Sequence, residues 1–199
     1  MTAPIGLGVL ASGRGSNLRN LVQLGYRVLA VATNRPSCGA AALARERGLP
    51  LGEFSQRRFE SLEARDQAMR DWLLGQGVEV VVNAGYDRIL SAGFVKAFPD
   101  RVLNVHPSLL PAFGGCMDAL DRALAHGVKI TGCTVHLVTG EVDGGPILLQ
   151  AAVPVLDGDS HDTLLARIQV EEHRILPEAI ELIAERIQQR SEKSAPLRQ

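Results

Sequence analysis

The feature that most restricts this chain is alternation. Short apolar runs rich in β-branched residues recur along it, most of them separated by a glycine turn and a helix-forming stretch. Ile5 to Ala11 (IGLGVLA) reads as a strand and ends in a tight loop, Ser12-Gly13-Arg14-Gly15-Ser16-Asn17. Ser16 or Asn17 is placed to cap a short helix that runs to Leu24 and stops at Gly25. Arg27 to Thr33 is a second strand, and Gly39 to Arg47 an alanine-rich helix closed by Gly48 and Pro50. Ser61 to Gln76 predicts an amphipathic helix with Leu62, Met69, Trp72 and Leu73 near one stripe; Glu63, Asp66, Arg70 and Asp71 decorate the rest. Val78 to Asn83 (VEVVVN) has the near-continuous apolar character of a central parallel strand.

Further along come a short helix from Ser91 to Ala97, a strand from Arg101 to His106 broken by Pro107, and a helix from Met117 to His126. Two strands then follow without a helix between them, Lys129 to Leu137 and Ile147 to Val153, which predicts an antiparallel edge. Asp162 to Ile187 is helical with Pro177 inside it, so a break or kink is expected there. The pattern predicts one α/β domain over 1–190: an open, mostly parallel, twisted, Rossmann-like sheet with helices on both faces. Residues 191–199 read as a polar, flexible tail.

Composition narrows the function classes. Lysine plus arginine number 21 against 22 acidic residues, and aromatics make up 4%, so neither a general affinity for nucleic acid nor base-stacking is expected. The absence of a signal-peptide pattern in Met1 to Leu10 and of a run of about 20 apolar residues predicts a cytoplasmic protein without a membrane partner. Cys38, Cys116 and Cys133 share no metal-like spacing and read as reduced thiols.

The first loop lies between strand and helix, where backbone N–H groups and the helix dipole favour an anion. Leu18 stands where a dinucleotide fingerprint has its third glycine, and the second strand ends in Thr33-Asn34 with no acidic residue for a ribose. A small phosphate monoester fits this loop better than a dinucleotide. On the strand ending at Pro107, Asn104 and His106 are two apart and share a face at the C-terminal end, where open α/β sheets place ligands. An amide donor beside an imidazole suits attack on a carbonyl: the amide stabilises an oxyanion while the imidazole handles a proton. Asp143, in Glu141-Val142-Asp143-Gly144-Gly145-Pro146, is a candidate to set the imidazole's charge. Each of the three taken alone also has a structural reading. His106, His136, His173 and Asp143 could in principle bind a metal, but none has the spacing of a zinc motif, and no metal is expected.

These residues carry a resemblance. Asn104-Val105-His106-Pro107-Ser108-Leu109-Leu110-Pro111 resembles the hallmark of the folate-dependent formyltransferases, and its separation from Val142-Asp143-Gly144-Gly145-Pro146 is similar to theirs. Ser12 to Leu18 resembles the phosphate loop of the branch acting on glycinamide ribonucleotide, and the likeness extends from about Ile5 to Ile183. It implies Asn104, His106 and Asp143 as catalytic trio; Gly13, Gly15, Ser16 and Asn17 as phosphate loop; and Gln169 and Glu172 as contacts to the ribose and glycinamide end. It further implies Arg88, Ile89 and Leu90 as the segment reading the pterin edge, with Val138 and Thr139 on the folate-side loop. The implied reaction uses 10-formyltetrahydrofolate as co-substrate, in purine biosynthesis, by a monomer or weak homodimer. The chain departs from the family pattern at Asp87, usually apolar, across Phe113 to Leu120, and in a short stretch between Asn17 and Arg27. Rival readings are a formyltetrahydrofolate deformylase, a methionyl-tRNA formyltransferase and a non-catalytic nucleotide-binding module. The first two usually carry an extra domain, and the third leaves the Asn-His-Asp spacing as coincidence.

Overall fold

The computed structural model describes residues 5–194. The strands are β1 (Leu7–Leu10), β2 (Val28–Thr33), β3 (Leu51–Glu53), β4 (Val80–Asn83), β5 (Val102–His106), β6 (Ile130–Leu137) and β7 (Ile147–Pro154). The helices are α1 (Ser16–Gln23), α2 (Gly39–Glu46), α3 (Leu62–Gly75), α4 (Ala92–Ala97), α5 (Ala119–His126) and α6 (His161–Ser194), with a 3-10 turn at Gln56–Arg58. All strands join one sheet in the order β3-β2-β1-β4-β5-β6-β7. The pairs from β3 through β5 are parallel, and β5–β6 and β6–β7 are antiparallel. The chain winds outward from β1 to β3, then returns to β4 on the other side of β1. That reversal opens a crevice beyond the carboxyl ends of β1 and β4.

The central strands are apolar on both sides because both faces are covered. One core packs Leu18, Leu21, Ala40, Leu43, Leu120, Leu164, Ile168, Leu176 and Ile180 of α1, α2, α5 and α6 against the sheet. The other packs Met69 and Leu73 of α3 and Phe94 of α4 with Tyr86 and Phe98 against the opposite face. No helix among the described residues is long and apolar enough to cross a membrane.

The structure corrects several local expectations. The strand β3 has only three residues, too few to show a period, and exists because the free edge of β2 accepts it. Neither Ser16 nor Asn17 caps α1; the N-cap is Gly15 at φ 78°, and no side chain caps the helix. A Cβ at Gly15 would also lie 2.8 Å from Ala40 Cα, so conformation and packing both require glycine. Helix α5 begins at Ala119, two residues later than predicted. Asp66 does not decorate a solvent face but is fully buried: Leu62, Asp66, Met69 and Leu73 fall on one helical stripe.

Pro177 does not break α6. Proline removes the N–H that would bond the carbonyl four residues earlier, here that of His173. That carbonyl instead accepts from Asn20 Nδ2 at 2.8 Å, while Ile175, Leu176, Ala179 and Ile180 are buried on both sides of the proline. The helix continues to Ser194, through the start of the predicted tail; residues 195–199 of that tail and residues 1–4 of the N-terminal stretch lie outside the described residues.

Candidate active site

Strand β5 delivers Asn104 and His106 on one face at its carboxyl end, and the antiparallel register sets His136 of β6 directly opposite Asn104. Asn104 Nδ2 lies 3.0 Å from His136 Nε2 and donates to Asp143 Oδ1 at 3.3 Å. The Nδ1 of His136 donates to the Leu137 carbonyl at 3.0 Å, which leaves Nε2 free to accept the amide hydrogen. His106 Nδ1 is 3.4 Å from Asp143 Oδ2, and its Nε2 donates to the Phe113 carbonyl at 2.9 Å. Both nitrogens of His106 therefore face oxygen acceptors.

Asp143 stands at φ 53°, on a loop folded back against the end of β6. The turn is possible because Gly145 lacks a side chain; a Cβ there would be 1.8 Å from the Leu137 carbonyl oxygen. The His136 imidazole beside it holds the carboxyl at about 2, helped by the Gly115 N–H and by His106 and opposed by burial. Gly115 N donates to Asp143 Oδ2 at 2.8 Å, so the segment around Phe113 closes over the cluster. Thr134 fixes the preceding turn, donating to the Ser108 carbonyl at 2.7 Å and accepting from Leu110 N at 3.0 Å.

The predicted phosphate residues gather on the other side of the crevice. Gly13, Gly15, Ser16 and Asn17 form the loop and first turn of α1, and the loop is tied to α2 by the Ala40 N–H on the Gly13 carbonyl, 3.1 Å. A Cβ at Gly13 would meet nothing within 4 Å, so the space beside that residue is open. Gln169 and Ser16 line one groove between α1 and α6, of about 280 Å³. Asn17 Nδ2 donates to Glu172 Oε2 at 3.0 Å, and both side chains are buried. Burial pushes the Glu172 carboxyl up to about 7, against the opposing hydrogen bond from Asn17. Glu172 is thus no solvated surface residue: with Ile168, Ile175, Leu176 and Ala179 it occupies the buried stripe of α6, a position readable from spacing. His173 lines this groove and does not join His106 and His136.

Arg88, Ile89, Leu90, Val138 and Thr139 are divided. Leu90 and Val138 pack partly buried against the α3/α4 core, while Ile89 is 64% exposed and Arg88 and Thr139 face outward. Two residues that sequence reasoning assigned no role govern this segment. Arg65 donates to Asp66 Oδ1 at 2.6 and 2.8 Å and to the Ile89 carbonyl at 3.0 Å. Asp66 Oδ2 accepts from Ser91 N. The pair, 1% and 0% exposed, clamps the backbone on either side of Leu90. Asp87 closes the other end. Its carboxylate accepts from Asn34 Nδ2 at 2.7 Å and pairs with Arg35, and its N–H donates to Ser12 Oγ at 3.0 Å. Burial would raise its carboxyl, but the Asn34 and Ser12 hydrogen bonds and the arginines beside it hold it below the usual range. Asn34 and Arg35 are thus placed to receive a carboxylate at this position.

A family model described as formyl transferase matches residues 7–180. The chain is 45% identical over 188 residues to a phosphoribosylglycinamide formyltransferase of Mycobacterium tuberculosis, covering 92% of this chain and 86% of that protein. It is 40% identical over 183 residues to the Escherichia coli protein of the same name, covering 89% and 86%. Its structure is similar to the crystal structure of glycinamide ribonucleotide transformylase 1 from Symbiobacterium toebii, with a TM-score of 0.87, 47% identity, and coverage of 91% and 88%.

Proposed function

The chain belongs to the formyl transferase family, and from that premise we propose that it transfers the formyl group of 10-formyltetrahydrofolate to the amine of glycinamide ribonucleotide, a step of purine biosynthesis. The observation that carries this reading is one cluster. An amide, two imidazoles and an ionised carboxylate meet at the carboxyl end of β5, at the same sheet edge as the glycine loop.

The neutral amine attacks the formyl carbon, forming a C–N bond and a tetrahedral oxyanion. That oxygen takes the place of the Phe113 carbonyl as acceptor of the His106 Nε2 hydrogen, and of Asp143 Oδ1 as acceptor of one Asn104 amide hydrogen. Asp143, ionised at neutral pH, balances the imidazolium of His106. His136 holds the Asn104 amide from behind. The intermediate collapses by breaking the bond to the folate nitrogen, which takes up the proton lost by the amine. The products are formylglycinamide ribonucleotide and tetrahydrofolate. Holding two substrates in one crevice contributes a large part of the acceleration.

The test is folate absorbance with and without glycinamide ribonucleotide, in the presence of a chelator. Formyl loss that requires the ribonucleotide and survives chelation is expected; equal loss without it would make the protein a hydrolase. Asn104→Ala and His106→Ala should each lower kcat on the order of 10²–10³ in a folded protein, the usual cost of an oxyanion donor. Near-full turnover in either would remove that residue from the mechanism.

A further inference from the structure

The groove between α1 and α6 has one chemical character. It is lined by Arg14, Ser16, Arg19, Asn20, Gln23, Gln169 and His173, with no carboxylate among them. Eleven of the 18 arginines in this chain pair with an acid within 3.9 Å. Arg14 and Arg19 have no acidic partner among the described residues, and both face this groove. Beside them, the first turn of α1 carries no side-chain cap, so its amides and the positive end of the helix are available to an anion. The groove also lies against a buried polar atom that lacks a partner among the described residues, the Nε2 of His173.

Resting on the formyl-transfer reading above, we propose that Arg14 and Arg19 determine specificity for the phosphate of the ribonucleotide, their guanidinium groups neutralising the dianion that the backbone amides of the glycine loop only orient. A helix terminus and backbone N–H groups carry partial charges equivalent to about half a unit. A phosphate monoester carries nearly two at neutral pH. Two guanidinium groups supply the difference and offer paired N–H donors that match phosphate oxygens. The placement is built in. Arg14 is held between Gly13, whose carbonyl accepts from Ala40, and the N-cap Gly15, while Arg19 lies on the outer face of α1 with Ser16 and Gln23. The α1–α6 spacing that opens the groove is itself fixed by the Asn17–Glu172 and Asn20–His173 hydrogen bonds.

The experiment uses the full chain, Arg14→Gln, Arg19→Gln, the double variant, and Arg27→Gln as a control before the start of β2. Calorimetric titration with glycinamide ribonucleotide and with its dephosphorylated ribonucleoside is run without folate, and KM and kcat are measured with folate. Each single variant should weaken ribonucleotide binding and raise its KM about tenfold, the ordinary loss for one charge-assisted hydrogen bond. Ribonucleoside binding should be unchanged, kcat should change less than twofold, and the control should match the parent. Unchanged ribonucleotide affinity in the double variant would overturn the proposal, as would equal losses for both ligands. A parent chain that binds the ribonucleotide through these arginines but transfers no formyl group would overturn the reaction and leave the phosphate assignment standing.

Discussion

Removing one member of the Arg65–Asp66 pair is the most severe single test of how the folate-side segment is held. In Asp66→Ala the guanidinium of Arg65, 1% exposed, loses the carboxylate that takes two of its N–H groups and keeps only neutral acceptors, Ile89 O and Gln56 Oε1. Breaking a buried pair on one side costs ~3–5 kcal/mol. The Ser91 N–H also loses its acceptor, an orphaned group worth ~1–3 kcal/mol where solvent cannot reach it. A loss of at least ~4 kcal/mol is therefore expected, which at a urea m-value of about 2–3 kcal/mol/M moves the midpoint down by at least roughly 1.3–2 M. The double variant Arg65→Met/Asp66→Ala removes the stranded charge as well as its partner. It should lose less than the single change, because a buried pair contributes little beyond its own desolvation. Urea unfolding followed by circular dichroism of both variants decides the matter, with KM for 10-formyltetrahydrofolate measured under native conditions. KM for the folate should rise more than KM for the ribonucleotide, since the clamp acts on Ile89 and Ser91. A single-variant loss below about 1 kcal/mol, or a double variant less stable than the single, would refute the reasoning.

Three further outcomes follow from particular contacts. Glu172, raised from 4.5 to about 7 by burial, contributes stability that is present below its unfolded value and lost as pH rises through about 7. Glu172→Gln should therefore match the parent near pH 4.5 and exceed it above pH 7 by up to about 3 kcal/mol in denaturant midpoints; parallel pH profiles would contradict this. Asp143, held at about 2, contributes in the opposite sense, with stability present above 3.8 and lost as pH falls through about 2. Asp143→Asn should flatten that acid limb, on the order of 1–2 kcal/mol given its partial contact with solvent, and should lower kcat far more than KM; an unchanged kcat would remove it from the site. Asn20→Ala strips its Nδ2 donor from the His173 carbonyl that the Pro177 nitrogen cannot bond, and should destabilise by about 1–2 kcal/mol. Hydrogen exchange in α6 should accelerate on both sides of Pro177, and unchanged protection there would mean that water satisfies the carbonyl.

Local pattern carried much of this protein. The strands β1, β2, β4 and β5 announce themselves because a strand buried on both faces has no polar positions to hide it, and the antiparallel end shows in two strands without a helix between them. Asn104 and His106 were legible as a pair because strand geometry alone puts residues two apart on one face. Their roles, and those of the ribonucleotide and folate contacts, came from resemblance.

What sequence could not supply depended on partners distant along the chain. His136 becomes a support for Asn104 only through the β5–β6 register, a consequence of pairing. Asp66 and Glu172 are charged residues that composition assigns to solvent. They are buried because each lies on an apolar helical stripe and finds a partner, Arg65 next door and Asn17 across the α1–α6 contact. Pro177 is a helix breaker by local rule, overruled by an amide that reaches the His173 carbonyl from 153 residues away. The sequence by itself determined the helices and every strand but β3, since burial periodicity is a property of neighbours. Only the tertiary structure decided which charges go inside, because the free energy of burying a charge is set by the group that meets it there.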